Sequence, residues 1–147
     1  MNLLKLLWIK WSDYEDLVYI DDVNYLEIEE FLKKKYPKCN IEITDLRKKC
    51  CSYADLKLFA GMIPIKKRKY VKETFDCEDF ARVAWGIWGY IFPRLTIGYC
   101  LVYTKRGKHA VNCALYKSKS GRLNFTFIEP QLGSVFFSSW VPYKIII

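Results

Sequence analysis

Phe75-Asp76-Cys77-Glu78-Asp79-Phe80-Ala81 sets a cysteine directly behind an aspartate, at what reads as the first turn of a helix. Backbone N–H groups and the helix dipole favour a thiolate there. The chain holds one histidine, His109, and Glu129 closes a later apolar run. A thiol, an imidazole and a carboxylate are the parts of a nucleophilic triad. Cys77 would attack, His109 would take and return the proton, and Glu129 would orient the ring and stabilise its charged form. Glu78 and Asp79 oppose thiolate formation by like-charge repulsion, so a sharply lowered Cys77 pKa is not expected. Each residue alone has a plainer reading, as core thiol, satisfied histidine or solvated strand-end carboxylate. Their joint placement favours the triad.

The elements that must position these groups follow from the hydrophobic pattern. Asp76 is a good N-cap, with Glu78 and Asp79 in the turn where acidic side chains suit the dipole. Phe80, Ala81, Ala84, Trp85, Trp88, Ile91 and Phe92 then recur at helical spacing and stop before Pro93, which marks the central buried helix. From Leu95 the period becomes two. Strands are expected over 95–104, 109–117 and 122–129, with a short apolar run over 134–141 extending the sheet. Alternation puts His109 with Val111, Cys113 and Leu115, and Glu129 with Leu123, Phe125 and Phe127, on core-directed faces. A turn over 118–121 pairs Lys117 with Arg122 and sets His109 opposite Pro130. A loop one residue shorter sets His109 opposite Glu129, within contact distance.

The first half reads as helical. Asp22 would cap a helix from Val23 to about Lys35, with Tyr25, Ile28, Leu32 and Tyr36 on one stripe; Thr44 would start a second, ending near Gly61. The expected fold class is α+β: N-terminal helices and a central buried helix packed on an antiparallel sheet of three to four strands. It forms a single domain over 1–147, with a helical packing portion over about 1–64 and the catalytic core over about 65–147.

The bulk numbers agree with a packed domain. Of 147 residues, 52% are hydrophobic and 17% aromatic, enough apolar surface to offset chain entropy and exclude a disordered chain. The net charge of +8 suits an acidic partner, but Lys and Arg lie in short groups over 33–35, 47–49, 66–69 and 105–108. These read as solvated faces in preference to a nucleic-acid surface. The opening Met-Asn-Leu-Leu-Lys-Leu-Leu-Trp-Ile-Lys-Trp is a poor signal peptide and too short to span a bilayer, so a cytoplasmic protein without membrane contact is expected. Six cysteines without C-x-x-C spacing point to free thiols and away from a zinc site. There is no Gly-rich phosphate loop.

Three stretches, 75–81, Lys108-His109-Ala110-Val111-Asn112 and Phe127-Ile128-Glu129-Pro130-Gln131-Leu132-Gly133, resemble the papain-like, transglutaminase-like cysteine peptidase superfamily. They are most like the protease domain that follows the lectin domain in certain mushroom agglutinins, and its bacterial and phage-like relatives. The match covers roughly residues 70–135. The resemblance implies a papain-like/transglutaminase-like core and a Cys77-His109-Glu129 triad. The activity implied is that of a cysteine hydrolase cleaving peptide or isopeptide amide bonds through an acyl-enzyme. Acyl transfer to an amine is the close variant, and a non-enzymatic basic binding or structural protein on the same fold is the competing class. No Gln precedes Cys77 where relatives often take an oxyanion donor, which leaves the backbone N–H of Cys77, with Tyr70, Lys72 and Gln131 as side-chain candidates for oxyanion or substrate contacts. No cofactor is expected, although calcium in the mushroom proteins makes Asp76, Glu78 and Asp79 candidate oxygen ligands. A peptide or protein substrate is the implied partner.

Overall fold

Strands 97–104, 107–117 and 123–129 alternate apolar and small or polar residues over lengths that only a sheet buried on both faces can use. The computed structural model describes residues 21–147, so the opening stretch and its signal-peptide reading lie outside the described residues. In chain order the elements are β1 (Asp21–Asn24), α1 (Tyr25–Lys35), β2 (Asn40–Glu42), β3 (Arg47–Cys50), α2 (Tyr53–Met62), a 3-10 turn (Pro64–Lys67), α3 (Cys77–Ile91), β4 (Ile97–Thr104), β5 (Gly107–Lys117), β6 (Leu123–Glu129), β7 (Ser134–Phe136) and β8 (Val141–Ile146).

The expected meander is present as β4-β5-β6-β7, but the sheet does not stop there. Its order is β2-β8-β4-β5-β6-β7, with β8 returning antiparallel beside β4 and β2 lying parallel to β8. This corrects the fold expectation: the described residues build a six-stranded mixed sheet with a separate β1-β3 ribbon, where three to four antiparallel strands of a papain-like/transglutaminase-like core were expected. The return strand was obscured by Pro142, which sits where the β4-β8 register shifts between Leu101 and Val102. A bulge tolerates a residue with no N–H to donate, and it breaks the alternation that marks a strand.

The N-terminal portion is corrected as well. Residues 21–24 form a strand, and α1 is capped by Asn24, whose side chain accepts from the Glu27 N–H at 2.9 Å, in place of Asp22. The helix expected from Thr44 is a strand followed by a shorter helix. Arg47-Lys48-Lys49-Cys50 has helical propensity, but pairing on both sides overrides it: β1 lies along one edge, and along the other Lys49 N donates to Arg94 O (2.7 Å) while Thr96 N donates to Lys49 O (3.0 Å). Ser52 then caps α2, accepting from the Asp55 N–H at 3.1 Å.

Helices cover both faces of the sheet. Ile28 and Leu32 of α1, with Val23, pack on Cys100, Val102, Val111, Cys113, Leu115, Phe127 and Ile145. Leu56 and Phe59 of α2 and Ala84 and Trp88 of α3 pack on Ile97, Ala114 and Ile128 from the other side. The neighbouring Cys50 and Cys51 divide between the two cores, as strand alternation requires. Among the described residues, no helix is long and apolar enough to cross a membrane.

Two predictions follow from this packing. A Cβ on Gly98 would lie 2.3 Å from the Ile146 carbonyl oxygen, so Gly98→Ala must push β8 away from β4; the expected loss is roughly 1–3 kcal/mol, read from the urea midpoint. Burial holds the Cys50 thiol up at about 11 against an ordinary 9.0, with Thr96 opposing part of the rise. The folded chain keeps that proton after the unfolded chain has released it. This contribution is complete below pH 9 and is lost as pH rises toward 11, so the urea midpoint should fall over that range and fall less in Cys50→Ala.

Candidate functional site

Asp76 caps α3 by a reciprocal arrangement: its side chain accepts from the Glu78 N–H at 3.1 Å, and its own N–H donates to Asp79 Oδ2 at 3.2 Å. Arg82 reaches back to Glu78 (2.8 Å) and Asp79 (3.4 Å). The three acidic residues named as candidate calcium ligands are therefore engaged in capping the start of the helix and holding Arg82. Among the described residues, no group of three or more His, Cys, Asp or Glu side chains gathers as a metal site would need.

The first turn of α3 is tied to the sheet by one side chain. Asn112 Nδ2 donates to Ala81 O at 2.9 Å and to Gly98 O at 3.1 Å. This buried amide bridges helix and strand and fixes where the helix start lies over β5. Cys77 is half-buried there against Ala81, Tyr99 and Ala110. Its thiol pKa is raised, first by burial and then by the charges of Asp76 and Glu78, while hydrogen bonding from the Ala110 and Glu78 backbone pulls the other way. The repulsion anticipated from the flanking carboxylates is present, and the net result is a protonated thiol at neutral pH.

His109 and Glu129 meet, though in neither expected register. The β5-β6 turn spans one residue more than supposed, so Lys117 pairs with Leu123 and Asn112 with Ile128. Continued past its last pair, this register sets His109 opposite Gln131 and makes Glu129 a diagonal neighbour on the same face. From there Glu129 Oε2 reaches His109 Nε2 at 3.0 Å, with the side chains 23% (His109) and 13% (Glu129) exposed. The second carboxylate oxygen accepts from the Gln131 backbone N–H at 3.2 Å, and Trp140 stands edge-on to the imidazole at 5.6 Å. With Nε2 occupied, the remaining ring nitrogen is Nδ1, on the backbone side of the ring. Ala110, the next residue along the strand from His109, packs against Cys77.

The other candidates divide. Tyr70 precedes a tight hairpin held by Val71 N to Phe75 O (2.9 Å) and Phe75 N to Val71 O (2.7 Å). Its hydroxyl pKa is raised, first by burial and then by the charges of Cys77, Asp76 and Glu73. Lys72 is exposed in the turn of that hairpin. Gln131 joins the site through its backbone. Three aromatic residues escaped sequence reasoning: Tyr99, beside Cys77; Trp140, against His109; and Tyr143, whose ring lies tilted against Tyr103 at 4.5 Å and under Lys108. Tyr143 belongs to the strand that Pro142 concealed. Trp140 stands just before that strand, where no periodicity announces it.

No family model matches the sequence, and no curated protein does. Solved structures do. One is described as a PSL1a–E64 complex (TM-score 0.70, 20% identity, covering 86% of this chain and 51% of that one). Another is Polyporus squamosus lectin bound to the human-type influenza-binding epitope Neu5Aca2-6Galb1-4GlcNAc (TM-score 0.66, 20% identity, 86% and 49%). The chain thus spans about half the length of these solved chains, and at this identity the likeness conveys the fold.

These findings correct the family reading. No family model carries the papain-like/transglutaminase-like peptidase assignment, and the solved neighbour named by kind is a lectin. The cysteine peptidase-like hydrolase activity, the acyl-transfer variant and the peptide or protein partner rested on that assignment and fall with it. The ligands named for the neighbours are E64 and a sialylated glycan. A physical reason lies in the motifs themselves: Asp76 and Asp79 form a capping box, and Gly133 N closes a turn on Glu129 O at 2.8 Å, so the matching residues have local structural duties as well.

The clamp on α3 makes a prediction. Replacing Asn112 with Ala leaves the Ala81 and Gly98 carbonyls short of a buried donor. It should cost about 1–3 kcal/mol in urea unfolding and speed hydrogen exchange in the first turn of α3 before the rest of the helix.

Proposed function

We propose that Cys77, His109 and Glu129 form a nucleophilic thiol site, in which an imidazole-assisted sulfur bonds to an electrophilic carbon. The observation that carries this reading is the 3.0 Å contact between Glu129 Oε2 and His109 Nε2. A carboxylate there favours the tautomer with the proton on Nε2 and leaves Nδ1 as the acceptor, on the backbone side of the ring. Because burial and the flanking acids keep the thiol protonated, the sulfur depends on that base. With an epoxide, the S–H proton passes to Nδ1, sulfur bonds to a ring carbon, the C–O bond opens, and the alkoxide takes the proton back from the imidazolium. Tyr70, exposed ahead of α3, is the side chain proposed to donate to the developing oxyanion. The free thiols suit a reducing, cytoplasmic setting.

Glycan binding is the second reading, favoured by the sialylated epitope held by one neighbour and by the tilted Tyr103–Tyr143 pair under Lys108, an aromatic surface of the kind sugars pack on. Titrating the protein with that trisaccharide while following tyrosine fluorescence tests it, and a saturable change is expected on this reading.

For the thiol site, alkylation by iodoacetamide and by E64, an epoxide, is followed at each cysteine by peptide mass spectrometry at pH 7. Cys77 should react first. His109→Ala should slow it about a hundredfold, and Glu129→Gln by less, since the carboxylate only orients the ring. Equal rates in wild type and His109→Ala would reject the site.

A further inference from the structure

Well along α3 from Cys77, a cleft of about 430 Å³ opens between the C-terminal half of the helix and the residues leading into β3. Gly86 and Gly89 line it, one turn apart on α3, and a Cβ built on either meets nothing within 4 Å. Neither has a positive φ, and neither is pressed by a neighbouring backbone as Gly98 is. The fold therefore gives no reason for two poor helix formers in this helix, whereas an open cleft does, because any side chain at 86 or 89 would project into it. Trp85 and Trp88 also line the cleft, as do two cations. Lys48, only 5% exposed, is held by Thr44 Oγ1 (3.1 Å) and Asp45 Oδ2 (2.9 Å). Arg94 is exposed in the left-handed region at φ 69°. Among the described residues that line the cleft, Asp45 is the one carboxylate beside these two cations, so the lining carries a net positive charge.

The geometry points to a binding site for a small ring-bearing carboxylate, its ring against the half-buried Trp85 over Gly86 and Gly89 and its anion toward Arg94 and Lys48. An acidic sugar and an aromatic acid share this chemistry. The site is independent of the thiol and of its reactivity.

The test is amide and indole NMR of the whole chain titrated separately with N-acetylneuraminic acid and indole-3-acetate. Saturable shifts at Gly86, Gly89 and the Trp85 and Trp88 indoles are expected with at least one. Response to the first alone identifies a sugar acid, to the second alone an aromatic acid, and to both a site that reads only ring and charge. Arg94→Gln should weaken binding at least tenfold. Gly86→Leu/Gly89→Leu should abolish it without lowering the melting temperature, because leucine favours the helix. No saturable shift with either probe overturns the proposal, as does binding that survives the double leucine variant. Should that variant fail to fold, unchanged affinity in Arg94→Gln overturns it.

Discussion

The candidate site depends on one buried amide. Asn112 donates both its protons, one to a carbonyl in the first turn of α3 and one to a carbonyl of β4, and so fixes the height and rotation of the helix start over the sheet. The same strand carries His109 and Ala110 three and two residues earlier. A single register thus sets the imidazole, the alanine that packs against the thiol, and the clamp that brings the thiol there. An apolar residue at 112 could fill the space but would let the helix slide. Directionality, which a hydrogen bond has and packing lacks, is what the arrangement requires.

Electrostatics at the start of α3 serve the helix before they serve the sulfur. Asp76 and Asp79 close the capping box, and Glu78 joins Asp79 in holding Arg82, all of which favours a firm first turn. The same negative charge, with burial, holds the Cys77 thiol above its ordinary pKa. The dipole alone therefore does not make a thiolate here, and on the proposed reading the sulfur relies on His109 as its base. Glu129, with both oxygens engaged, gives that base a fixed orientation.

Much of this was legible from residue order. The central helix was recognisable from Asp76 through Phe92 because cap, periodicity and proline agree, and β4 to β6 because alternation runs long enough to count. The approach of His109 to Glu129 was legible in kind, since parity put both on one face, but not in detail, since turn length is set by a few backbone conformations that composition does not encode. What could not be read depends on partners distant in sequence. Residues 47–50 look helical until β1 and Arg94–Thr96 claim their backbone, and β2 is three residues long, too short to carry a period. Pro142 hid β8, and with it Tyr143. The motifs Asp-Cys-Glu-Asp and Glu-Pro-Gln signal a capped helix start and a tight turn as well as chemistry, which is why a family reading built on them outran the comparisons.

The order of strands has a consequence for how this molecule behaves among its own copies. The two outermost strands of the large sheet, β2 and β7, are its shortest, at three residues each, while the longest, β5, lies in the interior. An exposed strand edge is a row of unpaired backbone groups that can recruit another chain, and its adhesive power grows with its length. Among the described residues the sheet ends on two short strands, so each edge offers another chain only three residues of unpaired backbone to lie against.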